Sequence, residues 1–293
     1  MSPARRLLLV HAHPDDETLT TGGTIARYVA EPDTGVTVVT CTLGEEGEVI
    51  GSELAELAPD RGDQLGGYRI RELESALAAL GGPDHRFLGG AARWRDTGMV
   101  LAGHGTRAAL PPQLHPRAFA TADPFGAQLA ELLEIVDEVR PQVLVSYAAD
   151  GTYGHPDHVR AHELTVAAAA ARPDVVAKLY FAVRSTAELD AGLTALRAAS
   201  GGETGLRWPE PDEHPGHDVT AVTTRIDVDA YGAERIAAMR AHATQIDVRT
   251  GPGWTAFAMS NGIAQPLLGV EEFVLADAPA GCSETDLFEG VGP

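Results

Sequence analysis

Leu7-Leu8-Leu9-Val10, entered from Arg6, is a short unbroken apolar run. Such a run is the pattern of a strand buried on both faces of a parallel sheet. Residues 36–41 and 142–147 have the same character. Between these runs the spacing changes to a helical period. Leu19, Ile25 and Val29 can share one face of a helix over 18–30, and Leu65, Ile70, Leu73, Leu77 and Leu80 recur at helical spacing over 63–80. Gly81-Gly82-Pro83 stops the second helix, and Arg140-Pro141 stops a third over 125–139. A fourth helix is predicted over 158–171. Strand, loop and helix repeated in this way predict an α/β fold: a Rossmann-like, mostly parallel sheet with helices on both faces.

The rest of the pattern is less regular. Residues 43–61 are acidic and contain glycine, which predicts a loop. Residues 89–124 are rich in Gly, Pro and Arg, and a loop of that length is usually functional or mobile. Beyond residue 172 the pattern predicts strands over 178–183, 220–228 and 273–276, a helix over 230–246, and a Pro- and Glu-rich loop over 203–217. No internal repeat and no linker interrupts the chain. Residues 1–172 therefore read as the core, and residues 173–293 as a C-terminal α+β extension packed on it within one structural domain.

Composition narrows the possible partners. Aromatic residues are only 5% of the chain, so the core must be built from Ala, Val and Leu. The formal net charge is −20, from 42 acidic against 22 basic residues. A surface of that sign repels phosphate backbones and anionic lipid, and no cluster of Arg makes a local exception, so neither nucleic acid nor membrane is an expected partner. Residues 7–10 are too short for a secretory apolar region and no run is long enough to span a bilayer, which makes the cytoplasm the expected compartment. Two cysteines make no disulfide framework; Cys41 ends the second apolar run as a small core residue. Thr21-Gly22-Gly23-Thr24 lacks the G-x-G-x-x-G spacing of a dinucleotide site.

The chemistry concentrates in two loops, each directly after a predicted buried strand. His13-Pro14-Asp15-Asp16-Glu17 follows the first. Ligands of parallel sheets bind outside the carboxyl ends of the strands, so this is the expected place for a site. His13 and Asp16 are a nitrogen and an oxygen ligand three residues apart, with Pro14 restraining the turn. Asp15 is left free, and a free carboxylate beside a metal can act as general base. Tyr153-Gly154-His155-Pro156-Asp157-His158 follows the third strand. If either His155 or His158 is a ligand, the set becomes two His and one Asp, with open positions for water and substrate. The other His is then available to the transition state, Asp157 can orient an imidazole, and Tyr153 can donate to a developing oxyanion. Taken singly, each loop also reads as a capped helix start or a polar turn. The repeated His-Pro-Asp, each time after a strand, favours a metal site, with zinc expected and ferrous iron also suited to the donors.

Ala12-His13-Pro14-Asp15-Asp16-Glu17 and Gly154-His155-Pro156-Asp157-His158 resemble the signature motifs of the LmbE-like/PIG-L family of metal-dependent deacetylases. Residues 41–51, 63–69 and 93–99 look like the branch that acts on N-acetylglucosamine joined to inositol. The resemblance covers most of residues 5–172, resumes at 241–245, and contributes nothing between about 173 and 218. It implies that His13, Asp16 and His158 bind one zinc per subunit and that Asp15 is the general base. It implies that His155 stabilises the oxyanion with Asp157 behind it, and that Tyr153 sits over the pocket. It places Arg69 and Asp96 at sugar and inositol hydroxyls, although by themselves they read as a solvated helix residue and a turn former. His242 and Gln245 read as satisfied structural groups, Glu45, Glu46 and Glu48 as a solvated acidic loop, and His104, His115, His214 and His217 show no ligand spacing.

The expected activity is hydrolysis of an N-acetyl group from a small amino-sugar substrate. A related amidase acting on mycothiol S-conjugates would share fold and metal site. A non-catalytic sugar-binding protein would not need Asp15. A nucleotide-binding domain is disfavoured by the acidic balance.

Overall fold

The three apolar runs become β1 (Arg5–His11), β2 (Thr34–Thr40) and β4 (Val143–Tyr147), with β3 (Asp84–Phe87) between the last two. The computed structural model describes residues 4–101, 107–121, 125–211, 213, 214 and 216–292. Four helices join or follow these strands: α1 (Asp16–Ala30), α2 (Leu65–Ala79), α3 (Phe125–Val139) and α4 (Pro156–Ala171). β5 (Lys178–Val183) is followed by α5 (Thr186–Ser200), β6 (Thr224–Asp227) and α6 (Gly232–Ala241). Then come β7 (Asp247–Gly251), β8 (Trp254–Ala258), β9 (Gln265–Pro266) and β10 (Val270–Leu275).

The main sheet has seven strands in the order β3-β2-β1-β4-β5-β10-β6. The first five run parallel. β10 pairs antiparallel with both β5 and β6. The strands of the C-terminal third thus complete one edge of the sheet that the first half begins. β7, β8 and β9 form a separate antiparallel sheet.

Alternation along each strand sorts the core into two layers. Leu7, Leu9, Val36, Val38, Val143 and Val145 pack with Ile25 and Tyr28 of α1, Leu73 and Leu77 of α2 and Ala238 of α6. Leu8, Val10, Val39 and Leu144 face the other way, onto Leu132 and Val136 of α3 and Ala161, Leu164 and Ala168 of α4. Leu7 to Val10 are fully buried, which is why their run in the sequence is unbroken. Cys41 is buried among them at 2% exposure. Among the described residues no helix is long and apolar enough to cross a membrane.

Several elements depart from the sequence reading. β3 is an edge strand of sequence Asp-His-Arg-Phe with no fully buried residue, so it carries no apolar run. α5 was not anticipated, although Ser185 caps it by accepting from the Glu188 N–H and Gly201 ends it in the left-handed conformation. The helix expected to reach residue 246 stops at Ala241, and residues 247–258 turn into a hairpin. The strand expected from residue 220 begins at Thr224, after a short 3₁₀ turn. The long loop does have little regular structure: Val100–Leu101 pairs with Ala108–Ala109, and His104 lies outside the described residues.

Strand order reverses between β1 and β4. One branch of the chain builds outward from β1 through β2 and β3, the other from β4 through β5. In parallel sheets a crevice opens at such a reversal, outside the carboxyl ends of the two strands. Both motif loops begin there.

Candidate metal centre and active site

The loop after β1 is held by its own residues. The His13 N–H donates to Asp16 Oδ2 at 2.9 Å, and α1 starts at Asp16. Asp15 has φ 112°, a conformation rare for a residue with a side chain. Such a backbone costs roughly 1–3 kcal/mol and marks places where geometry matters more than stability. It lets consecutive carboxylates diverge. Asp16 turns to His13 and His158, while Asp15 turns to Arg69.

The loop after β4 approaches from the neighbouring strand. Asp150 accepts from the Thr152 N–H at 3.0 Å and starts a single helical turn, Gly151–Gly154. His155 is the N-cap of α4, with Pro156 in the first turn. Its Nδ1 accepts from the Asp157 N–H at 3.2 Å. That bond requires the neutral ring to carry its proton on Nε2, the nitrogen left for other partners. Burial, then the neighbouring His13 and His158 rings, hold the His155 pKa well below the usual imidazole range. His155 is therefore a neutral N–H donor.

The two loops meet at Asp16. Asp16 Oδ2 lies 3.2 Å from His13 Nδ1, and Asp16 Oδ1 lies 3.3 Å from His158 Nε2. Burial alone would raise the Asp16 pKa; His158 and His13 outweigh it and hold the carboxyl well below the usual range. The other nitrogen of His13, Nε2, lies 3.2 Å from Asp157 Oδ2 and 3.4 Å from Asp96 Oδ1. Burial would lower the His13 pKa, but Asp96, Asp157 and Asp16 raise it well above the ordinary value.

Three observations fit this cluster to a divalent metal. His158 is 3% exposed, yet among the described residues neither ring nitrogen has a hydrogen-bond partner, and Asp157 Oδ1 is likewise buried without one. Asp15, Asp16, Asp96 and Asp157 are all buried in this cluster, Asp15 being the one paired with a guanidinium, that of Arg69, among the described residues, and buried carboxylates are costly without compensating positive charge. Ligand atoms of His13, His155 and His158 lie within 4.8 Å of one another, as do those of His13, Asp96 and Asp157. The nine residues singled out in the sequence thus come to one crevice, but several partners differ from expectation.

Asp157 does not stand behind His155. Its carboxylate accepts from the Thr97 N–H at 2.9 Å and meets His13, so it orients the first-loop imidazole. Arg69 and Asp96 are not the solvated helix residue and turn former that they read as by themselves; their side chains are 3% and 5% exposed. Arg69 Nη2 donates to Asp15 Oδ2 at 2.8 Å and to the Pro14 carbonyl, and Nη1 donates to the Gly44 carbonyl at 2.8 Å. Gly44 has φ 63°, and a side chain there would collide with the guanidinium. Burial, opposed first by Arg69, brings the Asp15 carboxyl up to about 6. Asp96 accepts from the Gly98 N–H at 2.8 Å and the Glu46 N–H at 3.3 Å, which fixes its approach to His13. Glu45 is buried rather than solvated, and its carboxylate accepts from the Asp96 N–H at 2.9 Å.

Tyr153 packs edge-on to both His155 and His158, with ring centroids 5.9 and 5.3 Å away. Burial, then Asp16, pushes its phenol above the usual range, so it stays a donor. One site residue went unrecognised. Tyr147, the last residue of β4, stacks on His158 at 4.1 Å and accepts from the Ala12 N–H at 2.8 Å. An aromatic ending a buried strand just ahead of a histidine loop was the available signal. His242 Nε2 meets Glu17 at 2.8 Å, and Gln245 donates to Thr244. His214 meets the Ala264 carbonyl, and His115 accepts from the Arg117 N–H, both away from the cluster.

The sequence model of the PIG-L family, described as GlcNAc-PI de-N-acetylase, matches residues 8–169. A 1D-myo-inositol 2-acetamido-2-deoxy-α-D-glucopyranoside deacetylase of Saccharopolyspora erythraea is 54% identical over 292 residues, covering 98% of this chain and 94% of that one. A deacetylase of the same name from Actinosynnema mirum is 54% identical over 288 residues, covering 98% and 97%. Two solved structures share the fold. GalB, the 4-carboxy-2-hydroxymuconate hydratase of Pseudomonas putida KT2440, has a TM-score of 0.55 at 16% identity, covering 94% of this chain and 98% of its own. A deacetylase of teicoplanin biosynthesis has a TM-score of 0.52 at 18% identity, covering 93% and 99%. Matched over more than half its length by the family model, and over nearly all of it by these relatives, the chain belongs to the PIG-L family, the GlcNAc-PI de-N-acetylases.

Proposed function

We propose that the chain is a zinc-dependent amide hydrolase that converts 1D-myo-inositol 2-acetamido-2-deoxy-α-D-glucopyranoside to the free amine and acetate. What carries this reading is the 54% identity, over 98% of the chain, to relatives named for that reaction. That span takes in both motif loops and the C-terminal third. A neutral sugar also suits a protein of net charge −20 without a basic patch.

In this reading His13 Nδ1, Asp16 and His158 Nε2 hold the metal. Asp157 and Asp96 fix the His13 ring through Nε2, and Tyr147 fixes the His158 ring by stacking. A zinc ion on these ligands supplies Lewis acidity to the acetamide carbonyl and makes a water easier to deprotonate. Asp15, anchored through Oδ2 by Arg69, takes the proton as the water oxygen bonds to the carbonyl carbon. Charge then develops on the carbonyl oxygen, where the His155 Nε2–H and the Tyr153 hydroxyl donate. His155 is held neutral and has no spare acidic proton, so Asp15 passes the proton to the nitrogen as the C–N bond breaks. Arg69 acts through Asp15, and Asp96 acts through His13.

His155→Ala should keep its metal and lower kcat by on the order of 10²–10³, with a smaller effect on KM, because an oxyanion exists only along the reaction path. An effect confined to KM would recast His155 as a substrate contact. Substrate choice is tested by assaying GlcNAc-inositol, free GlcNAc and a mycothiol S-conjugate side by side for acetate and amine release. Binding of the inositol ring should orient the acetamide, so kcat/KM for GlcNAc-inositol should exceed that for GlcNAc. Preference for the S-conjugate would move the chain to the related amidase; equal rates on both sugars would deny an inositol pocket.

A further inference from the structure

The C-terminal third lies outside the family match, yet its His242 reaches Glu17, which holds the Asp15 main chain. Asp15 holds φ 112° against the ordinary preference of its backbone, so something must oppose relaxation. Its side chain has Arg69. Its main chain has Glu17: the Asp15 N–H donates to Glu17 Oε2 at 3.0 Å, while the Asp15 carbonyl accepts from the Thr18 and Leu19 N–H groups that start α1. Glu17 is fully buried, and a buried carboxylate needs partners of its own. Thr18 Oγ1 donates to Glu17 Oε1 at 2.5 Å, and His242 Nε2 meets the same oxygen at 2.8 Å. His242 is also fully buried. It follows the last residue of α6, which packs on α1 and α2. Burial alone would raise the Glu17 pKa; His242 and the hydrogen bonds bring it down to about 2.

We propose that Glu17 and His242 are positioning residues for Asp15: His242 fixes the Glu17 carboxylate, and Glu17 fixes the Asp15 main chain in the conformation that parts its carboxylate from that of Asp16. The C-terminal third therefore belongs to the catalytic apparatus as well as to the sheet. This rests on reading Asp15 as the base.

The test uses the full-length, metal-loaded enzyme. His242→Leu removes the donor at similar volume, with His242→Ala in its place if that chain does not fold; His242→Gln keeps a donor. The donor-less variant should lose on the order of tenfold to a hundredfold in kcat per metal-loaded chain, with KM and metal content near those of the parent, since a small misplacement of a reacting group has that scale of effect. His242→Gln should recover most of the loss. A role in stability alone would lower the melting temperature of both variants and leave kcat per loaded chain unchanged. Equal kcat in the donor-less and Gln variants overturns the proposal. Asp15→Asn, measured in parallel, separates the two ideas: full turnover there removes the base itself, whereas loss of turnover there with unchanged kcat in the donor-less variant removes only the positioning role.

Discussion

His158→Ala is expected to leave a folded chain with almost no metal and no measurable deacetylation. The ring is held in place by stacking on Tyr147, and among the described residues both its nitrogens are buried without a hydrogen-bond partner, although Asp16 stands 3.3 Å away. A side chain so placed is suited to complete a cation site with His13 and Asp16. His13→Ala and Asp16→Ala should behave alike. Asp16→Ala should have the larger effect on the apoprotein, because it also removes the acceptor of the His13 N–H that shapes the loop. A chelator should abolish turnover of the parent, and restored metal should return it. Elemental analysis of protein purified without air gives both the content and the identity of the metal, zinc or ferrous iron. Full occupancy in all three variants would defeat the ligand assignment.

Asp15→Asn should do the opposite: keep the metal and lose turnover by on the order of 10²–10⁴, the range a general base contributes. Asparagine matches the shape of aspartate, and its amide oxygen can still accept from Arg69, so the loop should survive. It cannot take a proton from water. The measurement is kcat beside metal content, and a variant with near-normal kcat removes Asp15 from the chemistry. Pairing the two experiments matters because Asp15 and Asp16 are adjacent in the chain. Only their opposite effects on metal content show that the strained backbone at Asp15 has divided one motif into a ligand and a base.

Much of this was legible along the chain. β1, β2 and β4 are buried on both faces, so each had to be an unbroken apolar run. α2 and α3 repeat at helical spacing because one face of each is buried. The two His-Pro-Asp loops stood out because each packs its donors into a few residues after a strand. β3 and α5 were not anticipated: one is a short edge strand, and the other lies where the family resemblance contributes nothing.

Local spacing determines which residues a loop presents; it does not determine what they meet. Asp157 lies two residues from His155 but pairs with His13, 144 residues away, because β1 and β4 are neighbours in the sheet and the strand order reverses between them. Arg69 meets Asp15 across 54 residues because α2 lies against the β1 loop, and His242 meets Glu17 across 225 because α6 closes over α1. The sequence alone determined the three buried parallel strands, the two loops and the donor types. The tertiary structure alone decided which carboxylate holds which imidazole, since partners so far apart in the chain are chosen by strand order and helix packing.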